Sequence, residues 1–349
     1  MKKYVVYSML VLCLASAVML TGCKRKNASV DENNNTKQAL NRKMNDEDVK
    51  DGVIQDDAVM LTVGDIDVTY SEAMVYLMLY KSEYDGLMSN DVWSFQVEKG
   101  KTFAYASKEC VINQIVKSKV IEYGAKRIGV QIEPDEKIEI EDKAIECYEK
   151  VFKDMEGKYG ITQAVVKDVM YDNYLADKVY EVATNNVDVI VKESESRVPV
   201  VKQIEVLFKG YDKDGNKIDR SKQGAHELIV EASNKLSEED VNFSEVALEF
   251  SDSADIDVVV NSEISDKAYR KAAVKLNEEE TSDIIETSKG YYILYCAEDN
   301  DEDEQRKNIE NIIIKRQDDI FAKVYYEWLE KNDIYIVSEL WNMIHIQEW

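Results

Sequence analysis

The chain has 349 residues, a formal charge of −25 and 45% hydrophobic residues, enough apolar material for two compact domains. So large a negative charge argues against nucleic acid as a partner, because the phosphate backbone would be repelled. The five cysteines include no C-x-x-C pair, which argues against a zinc site or a disulfide scaffold, and nothing in the sequence calls for a metal or cofactor.

Taken in chain order, Lys2 and Lys3 precede an apolar run from Val5 to Leu20. This is the pattern of an export signal, and the run is shorter than the ~20 residues that span a bilayer. It ends in Leu20-Thr21-Gly22-Cys23, where small residues let the chain enter a lipoprotein signal peptidase in extended form. The sequence thus predicts a signal peptide over 1–22 and diacylglycerol on the Cys23 thiol. That places the protein on the extracytoplasmic face of the cell membrane, anchored by lipid. Lys24, Arg25 and Lys26 follow directly, each adding roughly 1 kcal/mol of attraction to anionic headgroups. The rest of 23–57 is polar and without hydrophobic periodicity, and reads as a disordered tether.

Val59 to Val63 reads as a strand, ended by the turn Gly64-Asp65. Thr69-Tyr70-Ser71-Glu72 then has capping-box spacing, with Thr69 as helix cap and Glu72 bonding back. The helix that follows carries Met74, Leu77 and Met78 at helical spacing. A second helix is expected from about Thr102 to Ile128, closed by Gly129. Pro134 with Asp135 and Glu136 opens a third, to about Met155. A fourth follows Gly160-Ile161-Thr162 to about Ala183. Residues 58–196 therefore form a mostly helical domain.

The pattern changes at Arg197-Val198-Pro199. Val200 to Phe208 reads as a strand, and Asp212 to Asn216 as a turn whose glycine is misplaced for a calcium loop. Helices are expected around His226–Leu236 and Phe243–Phe250, with strands at Val258–Val260 and Tyr291–Tyr295. This α+β block spans 197–298. Residues 299–349 begin with an acidic linker of helix-N-terminal character, then give a helix from about Arg306 to Lys331 and the strand-like Ile334–Val337. There is no internal repeat, Gly-x-Ser-x-Gly elbow, P-loop or histidine-based metal motif. The alternating βα pattern of a solute-binding protein is missing too.

Several stretches together resemble extracytoplasmic foldases of the trigger-factor/SurA and PrsA type. Thr62 to Glu72 resembles their opening strand, turn and helix, and Trp328 to Ile336 their closing helix and strand. Val201–Phe208, Phe243–Ser251, Leu276–Ser282 and Gly290–Leu294 resemble, in order, four segments of a parvulin-like peptidyl-prolyl isomerase domain. The resemblance implies an α+β chain in which a helical SurA-N-like chaperone domain is closed by the C-terminal helix and strand. A parvulin-like α+β domain is inserted within it. The implied partners are unfolded or partly folded exported polypeptides.

The same resemblance assigns the isomerase site to Glu205, Ser253, Tyr269, Thr287 and Tyr292. Glu205 and Tyr292 stand where the family usually places two histidines, and Ser253 where it places Cys or Asp. Tyr269 is the aromatic of the proline pocket, and Thr287 a polar position before the last strand. The family's Gly-Gly-Asp-Leu-Gly segment is replaced by Asp255 to Val259, and the only histidines, His226 and His345, fall elsewhere. Rotation about X-Pro needs no nucleophile or metal, only an apolar cup that favours the twisted amide over a barrier of ~18–20 kcal/mol. A Glu205–Tyr292 hydrogen bond would replace the structural role of the histidines, but a carboxylate is a poor floor for an apolar cup. Two readings follow: a chaperone with a degenerate isomerase domain, or a weakly active isomerase.

The anchor has a direct test. Replacing Cys23 with Ala is expected to release the protein from membranes or leave an uncleaved precursor. Lipid-labelled, membrane-bound protein in that variant would refute the anchor.

Overall fold

The computed structural model describes residues 39–85, 90–155, 157–261 and 264–346. The signal segment 1–22, Cys23 and the basic cluster after it lie outside the described residues. Among those described, no helix is long and apolar enough to cross a membrane. The chain divides into two compact units: one runs to Asn186 and resumes at Asp319, and the other is Val187–Asp318.

The first unit is built on a four-stranded sheet in the order β1-β14-β4-β5, comprising Leu40–Asn41 (β1), Ile334–Ile336 (β14), Val59–Val63 (β4) and Ile66–Thr69 (β5). The late strand β14 lies between early ones, antiparallel to β4 (Ile334 opposite Val63) and parallel to β1 (Leu40 opposite Tyr335). The early strands β1 and β4 and the late strand β14 therefore share one domain, as the resemblance implies. The expected tether through Asp57 ends earlier than its composition suggests. Residues 40–54 contain β1 and a small hairpin, Val49–Lys50 (β2) with Val53–Ile54 (β3). Arg42 N–H donates to Ile336 O at 2.9 Å and Ile54 is buried. Strands of two residues carry no periodicity, so they are invisible to a pattern search; β1 is held by the edge of β14, and β2 and β3 by each other.

Helix α1, Tyr70–Asp85, is buried nearly all round, as expected of a helix at the centre of a bundle. Against it pack α2 (Phe103–Ile128) and α4 (Gln163–Thr184), and α3 (Pro134–Cys147) packs against α4. Between α1 and α2 comes a short hairpin, Gln96–Glu98 (β6) with Lys101–Thr102 (β7). The ends of the helices follow local chemistry. Thr102 Oγ1 accepts from Tyr105 N–H, and Gly129 closes α2 in the left-handed region at φ 73°. The third helix does not run uniformly to Met155: it changes at Tyr148 into a wide π turn, then a tight 3-10 turn over Lys153–Met155.

Only half of the expected capping box forms. Thr69 Oγ1 accepts from Glu72 N–H at 3.3 Å, but the Glu72 carboxylate turns inward to Lys119 Nζ at 2.7 Å. Lys119 also meets Asp172 at 2.6 Å, and Tyr76 O–H donates to Asp172 at 3.4 Å. One buried ammonium thus ties together α1, α2 and α4. Burial, opposed by Lys119, pushes the carboxyls of Glu72 and Asp172 up. For Lys119 burial is the largest single effect and lowers it, yet the two carboxylates together raise it overall. The C-terminal helix closes on the same bundle: a Cβ at Gly124 would lie 2.2 Å from the Trp328 ring, so only glycine admits it.

The second unit holds a four-stranded antiparallel sheet in the order β11-β8-β13-β12. Its strands are Val200–Leu207 (β8), Asp257–Val259 (β11), Ile285–Glu286 (β12) and Gly290–Glu298 (β13). One face packs Ile204, Val206, Tyr291 and Ile293 against α6 (Lys222–Leu236) and α7 (Phe243–Phe250). The other packs Val201, Tyr292, Leu294 and Cys296 against Tyr269 and Ala273 of α8 (Lys267–Ala273), a helix absent from the sequence reading. The expected turn at Asp212–Asn216 joins Lys209–Tyr211 (β9) to Lys217–Asp219 (β10). Asp212 spends its carboxylate on that turn, accepting from Asn216 N–H at 2.7 Å.

The unit is wider than the 197–298 block because its flanks, which include the one-turn helix Glu193–Ser196 (α5), bind to it. Asn308, on the long helix α9 (Glu302–Glu330), donates to Ser196 O at 3.0 Å, and Arg316 donates to Asp188 O at 2.7 Å. Arg197 reaches Val274 O, Leu276 O and Asp299 O. The N-terminus of α9 is capped by Asp301, which accepts from Asp303 and Glu304 N–H. After β14 a last short helix, Ser338–Met343 (α10), follows.

Lys119→Met leaves two buried carboxylates unpaired and is expected to cost about 3–5 kcal/mol at neutral pH. Because the folded pKa values of Glu72 and Asp172 are raised, their contribution is favourable below the ordinary carboxylate pKa of about 4 and is lost as pH rises through the raised values. The variant's deficit, read by denaturant melts across pH, should therefore shrink in acid. A deficit independent of pH would show that unpaired charge is not its cause.

Candidate functional site

The pairing of β8 with β13 places Glu205 directly opposite Tyr292. Tyr292 O–H donates to Glu205 Oε1 at 2.6 Å. The ring of Tyr269, brought in by α8, meets the Tyr292 ring edge-on with centroids 5.2 Å apart. Tyr269 O–H in turn donates to Gln203 Oε1 at 2.9 Å. Both tyrosines are buried, while Glu205 is half-buried. Burial pushes both phenols up; next in size at Tyr292 is its bond to Glu205, and at Tyr269 the Glu205 charge. Each therefore stays protonated and acts as a fixed donor.

Of the five expected site residues, the structure brings these three together and leaves two apart. Ser253 Oγ donates to Asp255 O at 3.1 Å and accepts from Asp255 N–H, closing its own turn. Thr287 Oγ1 donates to Gly290 O at 3.1 Å and accepts from Lys289 and Gly290 N–H, which shapes the β12–β13 turn. His226 is exposed on α6 and its ring lies 5.3 Å from Tyr291, on the sheet face opposite Tyr292.

Four residues that sequence reasoning missed position the site: Asp252, Arg220, Ser251 and Gln203. Asp252 is 7% exposed and pairs in two-pronged fashion with Arg220, one contact at 2.9 Å. It also accepts from Leu207 N–H at 2.8 Å, while its own N–H donates to Glu205 O at 2.7 Å. Ser251 Oγ accepts from Glu205 N–H at 3.0 Å. Asp252 and Arg220 are 32 residues apart, so no local pattern announces them. Gln203 had a legible signal: it lies two positions before Glu205 on a strand and so shares its face.

Chemically, the site has no nucleophile and, among the described residues, no group of ligands suited to a metal. It is also short of donors. The hydroxyl protons of Tyr269, Tyr292, Ser253 and Thr287 are all committed to the protein, and Glu205 offers only acceptor oxygens. A groove of about 470 Å³ lies beside α8, lined by residues such as Lys271, Leu276, Ser282 and Ile285, but not by Glu205, Tyr269 or Tyr292.

A sheet of this order with helices on both faces, and a site at the β8–β13 pair, defines a domain class. Residues 206–298 match the family model "Rotamase: PPIC-type PPIASE domain", so the chain carries a parvulin-type domain. Ser253, Tyr269, Thr287 and Tyr292 fall inside the match, and Glu205 lies one residue before it. Among solved structures, the chain is similar to foldase protein PrsA from Streptococcus pneumoniae, at 16% identity over 68% of this chain and 93% of that one, TM-score 0.29. It is similar to peptidylprolyl isomerase (PrsA) from Bacillus cereus, at 15% identity over 69% and 92%, TM-score 0.39. A third is PrsA from Bacillus subtilis, at 19% identity over 69% and 91%, TM-score 0.22. No curated protein matches the chain.

Asp252→Ala removes the partner of Arg220 and the acceptor of Leu207 N–H. It is expected to destabilise the domain by about 1.5–3 kcal/mol, whereas Ser253→Ala should stay within about 0.5 kcal/mol. Thermal melts of the two variants compare them. Equal losses would show that Asp252 does not carry the site's support.

Proposed function

We propose that this protein is a lipid-anchored extracytoplasmic foldase that acts mainly by holding unfolded exported polypeptides, with a degenerate parvulin-type domain. The observation that carries this reading is the Glu205–Tyr292 hydrogen bond where the family usually has two histidines. A half-buried carboxylate disfavours an apolar proline ring, and the site has no uncommitted hydroxyl donor to turn toward a twisting amide. The proposed positions are those expected from the sequence: Glu205, Tyr269 and Tyr292 in the cup, Ser253 and Thr287 at its turns, and Cys23 as the lipidation site.

The helical unit supports the holding role. Phe95 and Ile138 are each 65% exposed, and Val97, Tyr105 and Ile145 are also exposed. Val97 and Tyr105 flank Phe95 along the β6–β7 hairpin and the start of α2, while Ile138 and Ile145 repeat after two turns of α3. Exposed apolar side chains of this kind suit contact with unfolded chain. The second reading, a weakly active isomerase, is favoured by Tyr269, which stands at the aromatic position of the family's proline pocket and meets the Tyr292 ring.

The protein is expected to suppress aggregation of an unfolded model substrate while hardly accelerating proline-limited refolding, which takes ~10–100 s unaided. Glu205→His with Tyr292→His, made together so that each histidine has its partner, should raise the refolding rate. A strong isomerase rate in the unmodified protein, abolished by Tyr269→Ala and without effect on aggregation, would reverse the two readings.

A further inference from the structure

Glu205 uses one oxygen as acceptor for Tyr292, while its other oxygen has no hydrogen-bond partner among the described residues. Among the described residues no salt bridge reaches it: on the same strand Lys202 pairs with Asp257 instead. Asp266, which caps α8 through Ala268 and Tyr269 N–H, adds a second negative charge felt at Tyr292. Behind the carboxylate stand two buried tyrosine rings whose protons are already committed. The site is thus an acceptor with apolar backing, half removed from water, and without a resident cation. Ion pairing there is stronger than at an open surface.

We propose that this site selects polypeptide segments carrying lysine or arginine and binds the cationic side chain through Glu205. The proposal rests on reading the domain as a degenerate isomerase site, and it names what that site takes in place of a proline ring. An ammonium or guanidinium supplies the donors the site lacks, and the bond it makes to a carboxylate is charge-assisted. Its alkyl stem suits the tyrosine edges. The strongly negative chain favours basic segments in general, so the claim is specific to Glu205 and the test must separate the two effects.

The test uses the full chain in detergent and three labelled peptides of one frame, with Lys, Ala or Glu before a proline, read by fluorescence anisotropy. The lysine peptide is expected to bind about tenfold tighter than the glutamate peptide, with the difference shrinking as salt is raised. Glu205→Gln, which keeps an acceptor for Tyr292, should remove most of that preference. Glu302→Gln, at an exposed acid of the same unit, should leave it unchanged. An equal loss in both variants, or none in Glu205→Gln, would overturn the proposal. Should Glu205→Gln melt early, backbone shifts of the unmodified protein decide: perturbation by the lysine peptide at Gln203, Glu205 and Tyr292 supports the site, and perturbation elsewhere alone overturns it. The underlying reading fails separately. Fast isomerisation of all three peptides would sink the degenerate site whether or not lysine is preferred. Slow isomerisation without a preference would sink only the cation site.

Discussion

The register between β8 and β13 is the constraint on which the parvulin-type unit depends. Side chains alternate along a strand, so a slip of one residue would send Glu205 and Tyr292 to opposite faces and expose half of each core cluster. Gly290 pins that register at its start: a Cβ there would lie 2.3 Å from Val206 O, so only a glycine lets the strands approach. From this one pairing follow the Ile204–Ile293 core under α6 and α7, the Val201–Leu294 core under α8, and the meeting of Glu205, Tyr292 and Tyr269. Asp252 reinforces it from the side by holding the backbone of both Glu205 and Leu207.

In the helical unit the corresponding constraint is of another kind. Its sheet places β14 between β1 and β4, so a strand near residue 335 completes a surface begun near residue 40. Pairing across so great a separation is costly in chain entropy and forms slowly. The unit offsets this with side chains that fit nowhere else: Trp328 over Gly124, Trp341 donating to Met60 O at 3.1 Å, and Lys108 donating to Trp341 O and Ile344 O. The buried charge cluster at Lys119 adds specificity among the helices, because a shifted α2 would strand Glu72 and Asp172 without their cation.

What the sequence disclosed was what short-range chemistry decides. Thr102 and Gly129 bracket α2, Pro134 opens α3, and Phe243–Phe250 was legible to the residue, because caps and helical periodicity are written locally. The Glu205–Tyr292 contact was legible through the family resemblance, which sets both residues at paired positions. Elements too short to repeat a period stay hidden: β1 and the β2–β3 hairpin lie in a segment whose composition reads as tether, and α8 and α10 have under two full turns. Glu72 was misassigned for a related reason. Its spacing from Thr69 suits a capping box, but a buried ammonium from another helix competes for the same carboxylate and wins. Arg220–Asp252 depends on a tertiary fold that brings a strand-end arginine to a helix-end acid, and no local pattern encodes that meeting.

Under the proposed reading, in which Glu205 and Tyr292 stand where the family usually places two histidines, the same strand pair recognises different chemistry. A neutral imidazole carries both a donor and an acceptor, whereas Glu205 carries acceptors alone and Tyr292 has spent its only proton on Glu205. Nor do the surrounding hydroxyls help, since those of Tyr269, Ser253 and Thr287 each donate inward to Gln203, Asp255 and Gly290. A ligand that brings its own donors therefore suits the open oxygen of Glu205. Proline brings none, lacking even a backbone N–H, and its ring would desolvate the open oxygen of Glu205 without return. A lysine brings three donors and an arginine five. On that reading the parvulin-type sheet remains, and the hydrogen-bond inventory of the site suits a group that can be held rather than one that is to be twisted.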